Sequence, residues 1–93
     1  MKLNTAKEFN DVFQEFKGYV TPDLAGNICE VINYGGYVIV DKINPKNKTW
    51  DGALTIHFAE IPSAKEIVNR FVSLAHADEF QMLNDKTLHF WWD

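Results

Sequence analysis

Cysteine is nearly missing from this chain: Cys29 is the only one in 93 residues. A lone cysteine closes no internal disulfide and fits a reducing compartment, so the cytoplasm is the expected location. Long apolar runs are missing too, and none approaches the roughly 20 residues that a membrane-spanning helix needs. Met1-Lys2-Leu3 leads straight into a polar, helix-like stretch, so no secretory signal is expected. The Asn47-Lys48-Thr49 sequon should then stay unmodified. Glycine is sparse and scattered, with five in all. Gly35-Gly36 lacks the surrounding glycines and the lysine that cradle a phosphate. Basic charge is also short, with nine Lys and Arg against thirteen Asp and Glu and a formal net charge of −4. Phosphate backbones call for a basic face, so direct nucleic-acid binding is disfavoured as the main role. A basic or nucleic-acid-binding protein is the better-matched partner. Repeats and low-complexity linkers are absent, and the length fits one domain spanning residues 1–93.

What the chain does have is rings: seven Phe, three Tyr and three Trp, within a hydrophobic content of 46%. Each ring covers on the order of 150–250 Å² when buried. A domain this small cannot enclose them all, so some are expected at the surface.

The apolar periodicity gives the element order. Thr5 and Glu8 form a T-x-x-E capping box, and Phe9, Val12, Phe13 and Phe16 follow at helical spacing, which predicts a helix over about 5–17 closed by Gly18. Thr21-Pro22-Asp23 reads as a second helix start, with Leu24, Ile28, Val31 and Ile32 on one stripe and Gly35 as its stop. The rival reading of this stretch is a strand at Ile28–Tyr34. Tyr37–Ile43 is a strand by its β-branched and aromatic content, followed by the polar loop Asn44–Lys48. Ala53–Ala59 alternates as a second strand. Ser63 and Glu66 form another capping box and open a helix to about His76. Phe80–Leu83 and Thr87–Trp92 read as a hairpin turning at Asn84-Asp85-Lys86. The expected fold is α+β: a four-stranded, mainly antiparallel sheet with two or three helices packed on it, in the order ααββαββ. The alternative order is αβββαββ with five strands. Alternation points Val38, Val40, Leu54, Ile56, Phe58, Leu88, Phe90 and Trp92 inward, and Tyr37, Ile39, Thr55, His57, His89 and Trp91 outward.

Catalytic chemistry finds little support. Cys29 falls mid-helix beside an apolar stripe, the setting of a structural thiol. His57, His76 and His89 match no short metal-ligand spacing, and His76 belongs to a helix end, where a histidine complements the dipole. Asp41, Asp51, Glu60, Asp78, Glu79, Asp85 and Asp93 fall mostly at element ends, where solvated caps and turns account for them. No catalytic residue, cofactor or metal is therefore expected. Leu24-Ala25-Gly26, a helix and Gly35-Gly36 ahead of two strands, a helix and two strands resembles the element order of LAGLIDADG homing endonucleases. The sequence departs from that family where it matters: Tyr34 stands at the position of the metal-binding acid, and the chain is acidic rather than basic.

The aromatic tail Phe90-Trp91-Trp92 carries the functional expectation. Adjacent strand residues face opposite ways, so Trp91 and Trp92 cannot both be core. Tryptophan and tyrosine dominate binding hot spots. The expected function is a small acidic, non-enzymatic protein-binding domain that masks a surface on a partner, as inhibitors, immunity-type proteins and phage anti-defence proteins do. The expected contacts are Tyr37, Ile39, His57, His89 and Trp91, with Lys46, Lys48 and Trp50 at the rim. The alternatives are a homodimeric chaperone- or adaptor-like scaffold, and a single-stranded nucleic-acid binder using the aromatic sheet face.

Overall fold

A threonine opens each of the first two helices. The structure, a computed structural model, describes residues 1–40 and 52–92. The rim residues Lys46, Lys48 and Trp50, the Asn44–Lys48 loop, the last residues of the first expected strand, and Asp41, Asp51 and Asp93 lie outside the described residues. In the first helix, α1 (Ala6–Phe13), the Thr5 hydroxyl oxygen accepts from the Glu8 amide at 3.1 Å, which satisfies an amide that has no partner within the helix. Regular helix ends at Phe13, earlier than the sequence suggests. Residues 14–19 continue as turns held by Glu15 N–H to Val12 O and Phe16 N–H to Phe13 O, at 3.0 and 3.1 Å. These i→i+3 bonds tighten the chain and swing Phe16 inward to 1% exposure. Gly18 is therefore not the stop, and the left-handed glycines among the described residues are Gly35 and Gly52.

The second helix, α2 (Pro22–Asn33), is the helix predicted for this stretch and not the rival strand. The Thr21 hydroxyl oxygen accepts from the Leu24 amide at 3.2 Å, and Pro22 takes the first turn, where its missing N–H costs nothing. The buried stripe is Leu24, Ala25, Ile28 and Ile32. The third helix, α3, joins an α turn (Ala64–Glu66), a π-helical middle (Ile67–Val72) and a last α turn (Ser73–Ala75). Its buried residues, Ile67, Phe71 and Ala75, recur strictly every four residues. An α-helix of about 3.6 residues per turn drifts off such a stripe, and the longer i→i+5 turn brings it back over the sheet. His76 closes α3 in the left-handed conformation, at φ 46° and ψ 34°.

The strands are β1 (Lys2–Leu3), β2 (Tyr37–Val40), β3 (Ala53–His57), β4 (Glu79–Asn84) and β5 (Thr87–Trp91). They form one five-stranded antiparallel sheet in the order β1-β2-β3-β5-β4. The fold is the expected α+β domain in the order ααββαββ, preceded by one more strand. That fifth strand is the two-residue β1, too short for any periodicity to announce, and not Ile28–Tyr34. β3 ends at His57, and one further bond in the β3–β5 register, from the Phe58 amide to the Lys86 carbonyl at 2.8 Å, ties the strand end to the hairpin turn. Asn84 Oδ1 accepts from the Lys86 amide at 2.9 Å and fixes the hairpin turn.

All three helices lie against one face. Leu3, Val38, Val40, Leu54, Ile56, Leu88, Phe90 and Trp92 are buried there with Phe9, Phe16, Leu24, Ile28 and Phe71 in a single core. Phe58 is half-buried against the same core, with its ring edge-on to Phe71 at 5.3 Å. The Trp92 indole N–H donates to the Ala75 carbonyl at 2.9 Å, so the sheet caps the end of α3. Among the described residues, no helix is long and apolar enough to cross a membrane.

Candidate functional site

The other face of the sheet carries the outward set. Strand register arranges it in three rows: Tyr37, His57, Thr87 and Asn84; then Lys2, Ile39, Thr55, His89 and Gln81; then Ala53, Trp91 and Glu79. The buried helix residues all belong to the core on the opposite side, so among the described residues no helix lies over these rows. Tyr37, Ile39, His57, His89 and Trp91, the contacts expected from sequence, do share this face and are all half-buried. Thr55 and Thr87 form its floor, at 7% and 4% exposure.

The face is organised by side-chain pairs. Lys2 Nζ lies 4.1 Å from the centroid of the Tyr37 ring, and Tyr37 stacks on His57 at 4.3 Å with 13° between the planes. His57 Nδ1 lies 3.2 Å from Thr87 Oγ1, and His89 Nδ1 lies 2.6 Å from Thr55 Oγ1. His89 also leans on Trp91 at 5.0 Å. The two histidines are therefore diagonal neighbours, each joined to a threonine of the adjacent strand rather than to the other. Burial, and then the positive charge of Lys2, push the His57 pKa below its usual 6.5. Among the described residues, no group of three or more His, Cys, Asp or Glu is placed to hold a metal ion. Cys29 sits mid-helix and half-buried, with Sγ 3.8 Å from Asn10 Oδ1, and burial raises its pKa, which disfavours the reactive thiolate.

Two further surfaces were not singled out by the sequence. One is the outer strand β4, exposed along its whole length, with Phe80 and Leu83 at 53% and Met82 at 37%. The other is a cleft of about 250 Å³ where the end of α2, the segment after β3 and the π-helical part of α3 meet. Phe58 and Phe71 line it, with Tyr34 and Ile61 at its mouth, exposed to 78% and 65%. Glycine makes this junction possible. Gly35 turns the chain at φ 97°, and a side chain on Gly36 would sit 2.5 Å from both the His57 carbonyl oxygen and Val31 Cγ1. The signal available in the sequence was large apolar residues outside any periodic element: Tyr34 ahead of Gly35-Gly36, and Ile61-Pro62 ahead of the Ser63 cap. Set against protein-family models, curated proteins and solved structures, the chain matches none of them.

Proposed function

We propose that the chain is a small acidic, non-enzymatic binding domain that acts in the cytoplasm by masking a surface on another protein, in the manner of an inhibitor, an immunity-type protein or a phage anti-defence protein. One observation carries this reading: a whole sheet face has no helix over it among the described residues, yet bears Tyr37, His57, His89 and Trp91 in one contiguous array. Tyrosine and tryptophan supply large contact area with little rotamer entropy to lose, which suits them as anchors. The acidic balance of the chain favours a basic partner. The test is capture of the partner from the native host, followed by affinity measurement with the purified partner. Trp91→Ala and Tyr37→Ala should each weaken binding at least about tenfold, the usual effect of truncating a hot-spot aromatic. Unchanged affinity in folded variants would remove this contact set.

A homodimer is the second reading, and the β4 edge favours it. An antiparallel two-fold pairing through Gln81 would set Phe80 of one copy against Met82 of the other and continue the sheet across the dimer. Sedimentation at low micromolar concentration decides this reading, and a clean monomer removes it. Single-stranded nucleic acid suits the open face less well, because Lys2, the one cation in its rows among the described residues, is engaged over the Tyr37 ring.

A further inference from the structure

The cleft beside α3 differs in chemistry from the sheet face. Its walls are aromatic, and among the described residues its rim holds three carboxylates, Glu30, Glu60 and Glu66, against a single cation, Arg70. Arg70 is already neutralised, with its guanidinium 3.3 Å from Glu30 Oε1. Glu60 and Glu66 have no ion-pair partner among the described residues, so the mouth keeps two uncompensated negative charges beside exposed Tyr34 and Ile61. The volume, about 250 Å³, falls just under the roughly 300–1,000 Å³ usual for small-molecule sites and suits one or two side chains. Arg70 and Phe71 are presented by the π-helical turn, an arrangement that recurs at functional sites because it re-aims side chains at a cost in helix regularity.

From this combination we infer that the cleft binds an arginine side chain of a partner protein, flanked by an apolar residue. The aliphatic stem would lie on the Phe58 and Phe71 rings, the planar guanidinium would stack on Tyr34 and meet Glu60 and Glu66, and the apolar neighbour would cover Ile61. Arginine fits better than lysine, because its flat, weakly hydrated head can stack on an aromatic ring and serve two carboxylates at once. The inference rests on the chain being a protein-binding domain and names the chemistry of a second contact on it.

The experiment uses the whole chain and three capped tripeptides: Leu-Arg-Leu, the same peptide with neutral, isosteric citrulline, and Leu-Glu-Leu. Each is titrated into the ¹⁵N-labelled protein and followed by amide shifts. The arginine peptide should give saturable shifts at Tyr34, Phe58, Glu60 and Arg70, with binding about five-fold tighter than for the citrulline peptide, as expected for partly exposed ion pairs. The Glu60→Gln, Glu66→Gln double variant, with its spectrum otherwise intact, should erase that preference. The glutamate peptide should leave the cleft unmoved. Equal affinity for arginine and citrulline, a preference that survives the double variant, or no saturable shift in the cleft at millimolar peptide would each overturn the proposal. Failure here removes the cleft alone, because binding of the purified partner by the Trp91 and Tyr37 variants tests the sheet face separately.

Discussion

Trp91 and Trp92 are neighbours in sequence and opposites in role, and replacing each with phenylalanine separates the two. Trp92 is 8% exposed, packs 5.8 Å from Phe90 and donates its indole N–H to the Ala75 carbonyl in a buried bond of 2.9 Å. Phenylalanine at this position keeps a ring but loses the donor. A buried carbonyl left without its partner costs about 1–3 kcal/mol, and the smaller ring leaves a gap worth roughly another 1 kcal/mol. Trp92→Phe should therefore destabilise by about 2–4 kcal/mol, a large share of the roughly 5–14 kcal/mol expected for a domain of this size. Trp91 lies half-buried on the open face, where its described ring contact is with His89 at 5.0 Å. Trp91→Phe should cost less than about 0.5 kcal/mol, as ordinary surface substitutions do. Urea unfolding followed by circular dichroism reads both. With a slope near 1 kcal/mol per molar for a small domain, Trp92→Phe should lower the midpoint by roughly 2–4 M, while Trp91→Phe should barely move it. Equal losses from the two variants, or a stable Trp92→Phe, would refute the assignment of the two rings to opposite faces.

Three further outcomes are expected. Gly36→Ala places a methyl 2.5 Å from a backbone oxygen that cannot give way, and should cost about 1–3 kcal/mol in the same urea assay. His76→Gly relieves a non-glycine residue held at φ 46°, and should stabilise by about 0.5–1 kcal/mol by thermal unfolding. The folded pKa of His57 lies below its unfolded value, so its contribution to stability is complete above about pH 6.5 and is lost as the pH falls through the folded pKa. NMR titration should find the ring below 6.5, and Lys2→Gln should move it upward.

Periodicity made most of this fold legible. The stripe in α2, with Thr21-Pro22 before it and Gly35 after it, distinguishes helix from strand because the buried residues fall on one helical face. Strand alternation placed both Trp91 and Trp92 correctly, since a period of two depends only on the backbone pleat. β1 was illegible because two residues carry no period, and its place at the edge is fixed by the pairing of Lys2 with Ile39 and Leu3 with Val38. The early end of α1 was hidden because Phe16 keeps helical spacing but is delivered to the core by tighter turns. Of the candidate contacts, Tyr37, Ile39, His57, His89 and Trp91 could be grouped from alternation and strand pairing alone. The cleft could not, because its residues come from three segments whose meeting depends on how closely Gly36 lets α2 approach β3.

The strand order has a consequence for how the molecule assembles. β5 lies between β3 and β4, so the seam joining the two halves of the sheet pairs residues such as Thr55 and His89, 34 positions apart. Everything else in β4 and β5 is a local hairpin that closes on its own within microseconds. The seam must bring together strands separated by the α3 connection, and loop-closure entropy opposes it until Leu54, Ile56, Leu88 and Phe90 meet. Folding speed is therefore expected to be limited along this line through the middle of the sheet, together with the equally non-local pairing of β1 with β2. A substitution along that line should slow folding itself, whereas one at the β4 edge should act mainly on the rate of unfolding.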